Sequence, residues 1–180
     1  MTASSAPVVR QIRAEESARL REIRLRALAE APDAFGSTLA ETAARPAETW
    51  TARATANAAG NDSVLFVAES GEQWVGTAGG VFEPDGPGDP DVISMWVDPA
   101  WRRSGLAGRL LDAVIAWARL RGASTVHLWV TEGNSPAISL YERFGFAFTG
   151  ESAPLPSHPA LRELQMVRHS TLPRGEGVRT

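Results

Sequence analysis

The chain has 180 residues, 43% of them hydrophobic and 22% charged, the composition of an ordinary water-soluble domain long enough to bury a core. A formal charge of -3 and a pI near 5.7 leave no basic footprint, which excludes nucleic acid and anionic membrane surfaces as expected partners. With no cysteine, disulfides, thiolate metal sites and cysteine nucleophiles are excluded together, in keeping with a reducing compartment.

Residues 1–7 lack the basic flank and apolar stretch of a secretory signal, and no window approaches the roughly 20 apolar residues of a membrane span. A cytoplasmic location is the expectation. Residues 8–13 alternate apolar and polar as a half-buried strand does, and 14–30 repeats Leu20, Ile23, Leu25 and Leu28 at helical spacing. Pro32 and Gly36 break that helix within 31–38, and 39–57 reads as a second helix interrupted near Pro46.

Three strands follow at 64–69, 74–83 and 92–97, with short turns that imply an antiparallel meander and a Pro/Gly/Asp-rich run at 84–90. The clearest helix is 105–121, where Leu106, Leu110, Leu111, Val114, Ile115 and Ala118 form a stripe that Gly122 ends. Residues 125–130 read as a strand, 135–144 as a helix, and 146–150 and 164–168 as the last strands. This order predicts one α/β domain over 1–180, a mixed sheet of about seven strands flanked by about four helices, with flexible ends at 1–7 and 169–180.

The most informative stretch is 92–111, VISMWVDPAWRRSGLAGRLL. A buried strand ends at Val97, Asp98-Pro99 turns the chain, and a loop holding Arg102, Arg103 and Gly105 runs into the strong helix. The first turn of a helix offers unpaired N–H groups and the positive end of the dipole, so a pyrophosphate is the natural occupant. The competing reading is ordinary turn chemistry. The glycines do not form G-x-G-x-x-G, and without lysine there is no P-loop.

Arg102-Arg103-Ser104-Gly105-Leu106-Ala107 resembles the R/Q-x-x-G-x-G/A signature of the GNAT superfamily of N-acetyltransferases. The downstream run from Asn134 through Ala137, Leu140, Tyr141, Gly145 and Phe146 is similar to the family's N-x-x-A-x-x-L-Y-x-x-x-G-F block. The resemblance covers nearly the whole chain. It implies a mostly antiparallel sheet with a splay between two parallel strands, and acetyl-CoA as the acetyl-donor cosubstrate. It assigns the backbone of Met95, Trp96 and Val97 to the pantetheine arm, and the amides of Arg103, Ser104, Gly105, Leu106, Ala107 and Gly108 to the diphosphate, with Arg102 or Arg103 touching a phosphate. Asn134 either holds the pantetheine or caps the helix that follows.

Tyr141, the only tyrosine, is by the same resemblance the acid that protonates the departing thiolate; otherwise it is a packed helix tyrosine. Some relatives carry a glutamate base where this chain has Trp129. Others place the acid four residues before the pantetheine-binding strand residues, here Asp91, and Glu83 across the turn is the second candidate base. Both acids also read as solvated turn residues. The acceptor lid would be 35–41 and 151–159, with Phe35, Ser37, Glu41, Trp129 and His158 as candidate substrate contacts; alternatively Phe35 is a core plug and His158 an exposed loop residue. With no lysine the protein cannot acetylate its own lysine side chains, and His127, His158 and His169 lie too far apart in the sequence to suggest a metal site.

The resulting expectation is direct transfer from acetyl-CoA to a primary amine of a small molecule in a ternary complex. A protein N-terminal or lysine acetyltransferase is the alternative, and an acyl-CoA-binding sensor without catalysis is the rival from another class. An exposed edge strand in such a fold would permit a homodimer.

Overall fold

The computed structural model describes residues 6–83 and 88–169. The elements run β1 (Val8–Gln11), α1 (Ser17–Glu30), α2 (Leu39–Ala43), α3 (Ala47–Ala59), β2 (Ser63–Ser70), β3 (Gln73–Phe82), β4 (Pro90–Val97), α4 (Leu106–Leu120), β5 (Thr125–Thr131), α5 (Ser135–Arg143), β6 (Ala147–Leu155) and β7 (His158–His169). The strands form one sheet in the order β1-β2-β3-β4-β5-β7-β6, antiparallel except for the β4–β5 pair.

The sheet is covered on both faces. Along β2, Val64 and Ala68 point into one apolar cluster and Leu65 and Val67 into the other, as the two-residue period of a strand requires. On the first face lies α4, whose buried Leu106, Leu110, Leu111, Val114, Ile115 and Ala118 follow the predicted stripe, with Tyr141 of α5 and Phe146 in the same cluster. On the second lie α1 and α3, packing Leu20, Ile23, Ala27, Trp50 and Ala54 against Leu65, Trp74 and Trp96.

The predicted helix over 39–57 is divided into two at its expected interruption, because Pro46 sits as the N-cap of α3 and a residue ahead of proline resists helical geometry, which gives five helices among the described residues. Two expectations needed correction. Residues 151–159 are not a loop: β6 and β7 reach Leu155 and restart at His158, making a long hairpin that joins the strands expected at 146–150 and 164–168. Pro154 is tolerated because β6 is an edge strand, and Pro159 because β5 pairs with β7 only from Glu163 onward. Finally, Pro7 is buried and its carbonyl accepts from Arg109 at 2.9 Å, while His169 closes β7. The rest of the two predicted flexible ends, apart from Ala6, and residues 84–87 of the acidic turn lie outside the described residues.

Candidate functional site

β4 and β5 pair only at Asp91 with His127 and Val92 with Leu128, and beyond that point they part. The cause is visible on the other edge of β4, where the register against β3 shifts between Thr77 and Gly79 and Ser94 takes a φ of +54°. A non-glycine residue in the left-handed region bends its strand as a bulge does. The Thr77 hydroxyl fastens the bend by donating to the Ser94 carbonyl at 2.8 Å. Backbone along 93–97 therefore faces an opening instead of a partner strand. That opening forms part of a cleft of about 950 Å³.

At the end of β4 the Asp98 carboxylate accepts from the Ala100 N–H at 3.0 Å and starts a 3-10 turn, Pro99–Trp101. Arg103 (φ +62°) and Gly105 (φ +82°) then alternate into the left-handed region, an arrangement that gathers successive amides as anion-binding nests do. Gly105 is the N-cap of α4; no side chain caps the helix and no acid stands in its first turn. The first N–H of the helix to bond its own backbone is that of Arg109, to Gly105. The amides of Leu106, Ala107 and Gly108 are thus orphan donors at the positive end of a 15-residue helix, suited to a diphosphate. A methyl at Gly108 would stand 3.0 Å from the Phe144 ring, so glycine there lets α5 close on the start of α4.

The predicted donor residues fall on this cleft with two qualifications. Met95, Trp96, Val97, Arg103, Gly105, Ala107, Gly108 and Asn134 line it. Arg102 lines it too, but its guanidinium is taken by Glu30 at 2.5 Å and by the Val97 carbonyl at 3.1 Å, so of the two loop arginines Arg103, exposed and without an ion-pair partner among the described residues, is the one free to meet a phosphate. Ser104 and Leu106 do not line it: the Ser104 hydroxyl donates to the Trp101 carbonyl at 2.6 Å and the Leu106 side chain is buried core, which leaves both to act through the backbone. Asn134 caps α5, its Oδ1 accepting from the Ala137 N–H at 3.4 Å, while also lining the cleft.

Tyr141 reaches the cleft from α5. Only 6% of it is exposed, its ring meets Phe146 edge-on at 5.9 Å, and its hydroxyl has no hydrogen-bond partner among the described residues. Burial pushes its phenol up to about 12, so it stays protonated at any ordinary pH. Asp91, three residues before the bend, also lines the cleft; its Oδ1 is sealed and unpartnered. Burial raises its carboxyl above the ordinary value and Glu83 adds to the rise, while His127 opposes it. Glu83 is exposed at the cleft margin.

Of the acceptor candidates, Phe35, Ser37 and Trp129 line the cleft. Glu41 and His158 do not. Glu41 is spent in the capping box that starts α2, accepting from the Thr38 N–H and hydroxyl. The His158 ring pairs with Asp33 at 3.1 Å, and with the Ser157 hydroxyl donating to the Phe35 carbonyl at 2.5 Å it ties the β6–β7 turn to the segment after α1. The sequence reading overlooked Arg24, Arg53, Trp101 and Glu163, which all line the cleft. Glu163 carries a carboxyl raised by burial and stands opposite Thr131 of β5. A signal for Arg24 was present, since it falls at i+4 from Leu20 and i−4 from Leu28 on the apolar stripe of α1. Among the described residues no group of His, Cys, Asp or Glu could hold a metal ion, and no helix is long and apolar enough to cross a membrane.

Comparison with known proteins converges on one family. The profile of the acetyltransferase (GNAT) family matches residues 25–146. A mycothiol acetyltransferase of Thermomonospora curvata is 37% identical over 133 residues, which are 73% of this chain and 40% of that protein. The chain thus spans well under two thirds of that relative. An acetyltransferase of the GNAT family from Streptococcus pneumoniae superposes with a TM-score of 0.77 at 17% identity, over 91% of this chain and 98% of that one. The PaiA N-acetyltransferase of Thermoplasma acidophilum, solved in complex with coenzyme A, gives 0.66 at 13% identity over 92% and 99%. These two share the fold.

Proposed function

Since the chain belongs to the acetyltransferase (GNAT) family, we propose that it transfers the acetyl group of acetyl-CoA directly to a primary amine of a small molecule. The observation that carries this reading is the parting of β4 from β5 beside an uncapped helix start, within one cleft that also holds Tyr141. The backbone of Met95, Trp96 and Val97 would hold the pantetheine arm, and the amides of 103–108 its diphosphate. Acetyl-CoA supplies an activated thioester. Amides of β4 beyond its parting from β5 would face the thioester oxygen, and preformed donors cost no reorganisation when charge develops there.

The chain's own groups then divide the proton traffic. An alkyl ammonium must lose a proton before its nitrogen can attack, and Asp91, with its raised carboxyl, accepts that proton directly or through water. The new C–N bond forms as the C–S bond breaks; Tyr141, kept protonated by burial, gives its proton to the departing thiolate sulfur, and the second proton shed by the nitrogen as it becomes an amide restores the phenol through water. The chain has no cysteine and no other evident activated nucleophile, which supports direct transfer in a ternary complex. Cleft walls of Phe35, Trp96, Trp101 and Trp129 favour a compact amine over a long basic peptide. The test is calorimetric titration with acetyl-CoA followed by thiol release against a panel of amines and peptides. Failure to bind acetyl-CoA ends the enzyme reading, and better turnover of peptides ends the small-molecule one.

A further inference from the structure

Arg24 of α1 and Arg53 of α3 line both the cleft and a chamber of about 40 Å³ that continues from it between those helices and β4. Its walls include Trp50, Leu65 and Ser94. Arg24 donates to the Ser37 hydroxyl at 3.0 Å and lies 4.4 Å over the Phe35 ring; Arg53 has only the Trp50 ring, at 5.8 Å. No carboxylate pairs with either among the described residues, and the charges that act on them are other guanidiniums: Arg45 on both, and Arg53 on Arg24. Burial and that repulsion bring Arg24 down to about 10, which still leaves it charged at physiological pH. Trp50, only 2% exposed, adds a buried indole N–H with no acceptor.

Arg10, Arg19, Arg26 and Arg102 each meet a carboxylate between 2.5 and 3.3 Å. The Arg24 and Arg53 guanidiniums are both half-buried, and a charge held partly out of water with no anion beside it costs stability that arginine cannot escape by shedding its proton. The missing anion is therefore expected from a ligand. It is not the diphosphate of the donor, whose cradle at the start of α4 lies on the opposite face of the sheet from the cluster containing Trp50 and Leu65.

Resting on the acetyltransferase reading above, we propose that Arg24 and Arg53 clamp an oxyanion of the acceptor, which is thus an amine bearing its own carboxylate or phosphoryl group, as a free amino acid does. The far side of the cleft complements it. Asp91 precedes Ser94 by three residues on β4, about 10 Å along a strand. An ammonium, its carboxylate and one hydrogen bond at each end span about that distance.

The test uses the purified full chain, acetyl-CoA and matched acceptor pairs: leucine with isoamylamine, phenylalanine with phenethylamine, and O-phosphoethanolamine with ethanolamine. The anion-bearing member of at least one pair should have the higher kcat/KM by tenfold or more, and the pair that shows it separates carboxylate from phosphoryl recognition. Arg24→Gln and Arg53→Gln should each erase most of that ratio through KM, leave acetyl-CoA affinity unchanged, and melt no lower than wild type because each removes a half-buried charge with no carboxylate partner among the described residues. Equal or better turnover of the uncharged members, or selectivity that survives in the double variant, overturns the clamp. Where acetyl-CoA binds but no pair turns over, calorimetry with N-acetyl-leucine and N-acetyl-phosphoethanolamine on the CoA-loaded protein decides: no binding, or binding that the double variant retains, overturns it as well. Absence of acetyl-CoA binding instead overturns the acetyltransferase reading.

Discussion

Tyr141→Phe separates chemistry from structure unusually well at this site. The hydroxyl makes no hydrogen bond among the described residues, and the ring contact with Phe146 survives the change, so stability should move by no more than about 0.5 kcal/mol. Turnover is another matter. General acids contribute about 10²–10⁴, but a thiolate of ordinary pKa near 8.5 leaves without much help, which places the expected loss at the low end, about 10–100-fold in kcat. Steady-state thiol release, acetyl-CoA calorimetry and a melting curve on the same preparation distinguish the outcomes. Because the phenol is pushed up to about 12, its proton is lost only as pH rises through that value, and no decline in kcat below about pH 11 should trace to it. A variant within twofold of wild type in kcat, or one whose loss tracks weaker acetyl-CoA binding, refutes the assignment.

Asp91→Asn should lower turnover about 100-fold, and with it should vanish the rise of kcat/KM with pH through the raised Asp91 carboxyl; if Glu163→Gln removes that limb instead, the base is Glu163. The folded state holds the Asp91 proton more tightly than the unfolded chain, so its contribution to stability is present in acid and lost as pH rises through the folded value, and the asparagine variant should melt no lower than wild type at pH 7. Gly105→Ala meets nothing within 4 Å, so its cost is the left-handed backbone alone, about 1–2 kcal/mol or a fall of about 2–6 °C in melting temperature, together with about tenfold weaker acetyl-CoA binding in calorimetry. Arg103→Ala should weaken acetyl-CoA severalfold at low salt and little at high salt. Arg102→Ala should spare that affinity and cost about 0.5 kcal/mol in denaturant melts, since its pair with Glu30 is largely exposed.

The donor half of the site was legible because it is local. A strand, a turn, a glycine and a helix start lie within 92–111, and their backbone geometry follows from residues a few positions apart. What stayed hidden is assembled over distance. The bend at Ser94 carries no glycine or proline to announce it and depends on Thr77 in another strand. The β6–β7 hairpin was obscured by Pro154, Pro156 and Pro159, which stop a strand only where an amide is needed by a neighbour. Arg24 stands among Arg19, Arg21 and Arg26, and only its place on the apolar stripe sets it apart from them. Arg102 is the converse: a charge in a phosphate loop whose real partner, Glu30, lies 72 residues away.

That last contact bears on how the two halves of the cleft stay in register. Glu30 at the end of α1 accepts from both the Trp96 indole at 3.0 Å and Arg102, while Arg26 one turn earlier holds Asp98 at 2.7 Å and the Trp74 carbonyl at 3.0 Å. The helix that carries Arg24 is thereby fastened to the end of β4 and to the loop before α4, the proposed diphosphate cradle. Loosening it at Glu30, which lines no part of the cleft itself, would shift Arg24 and the Trp96 indole relative to the β4 backbone. Since a misplacement of about 1 Å can cost about 100-fold in rate, the exposed pair of Arg102 and Glu30 matters more for alignment than for stability.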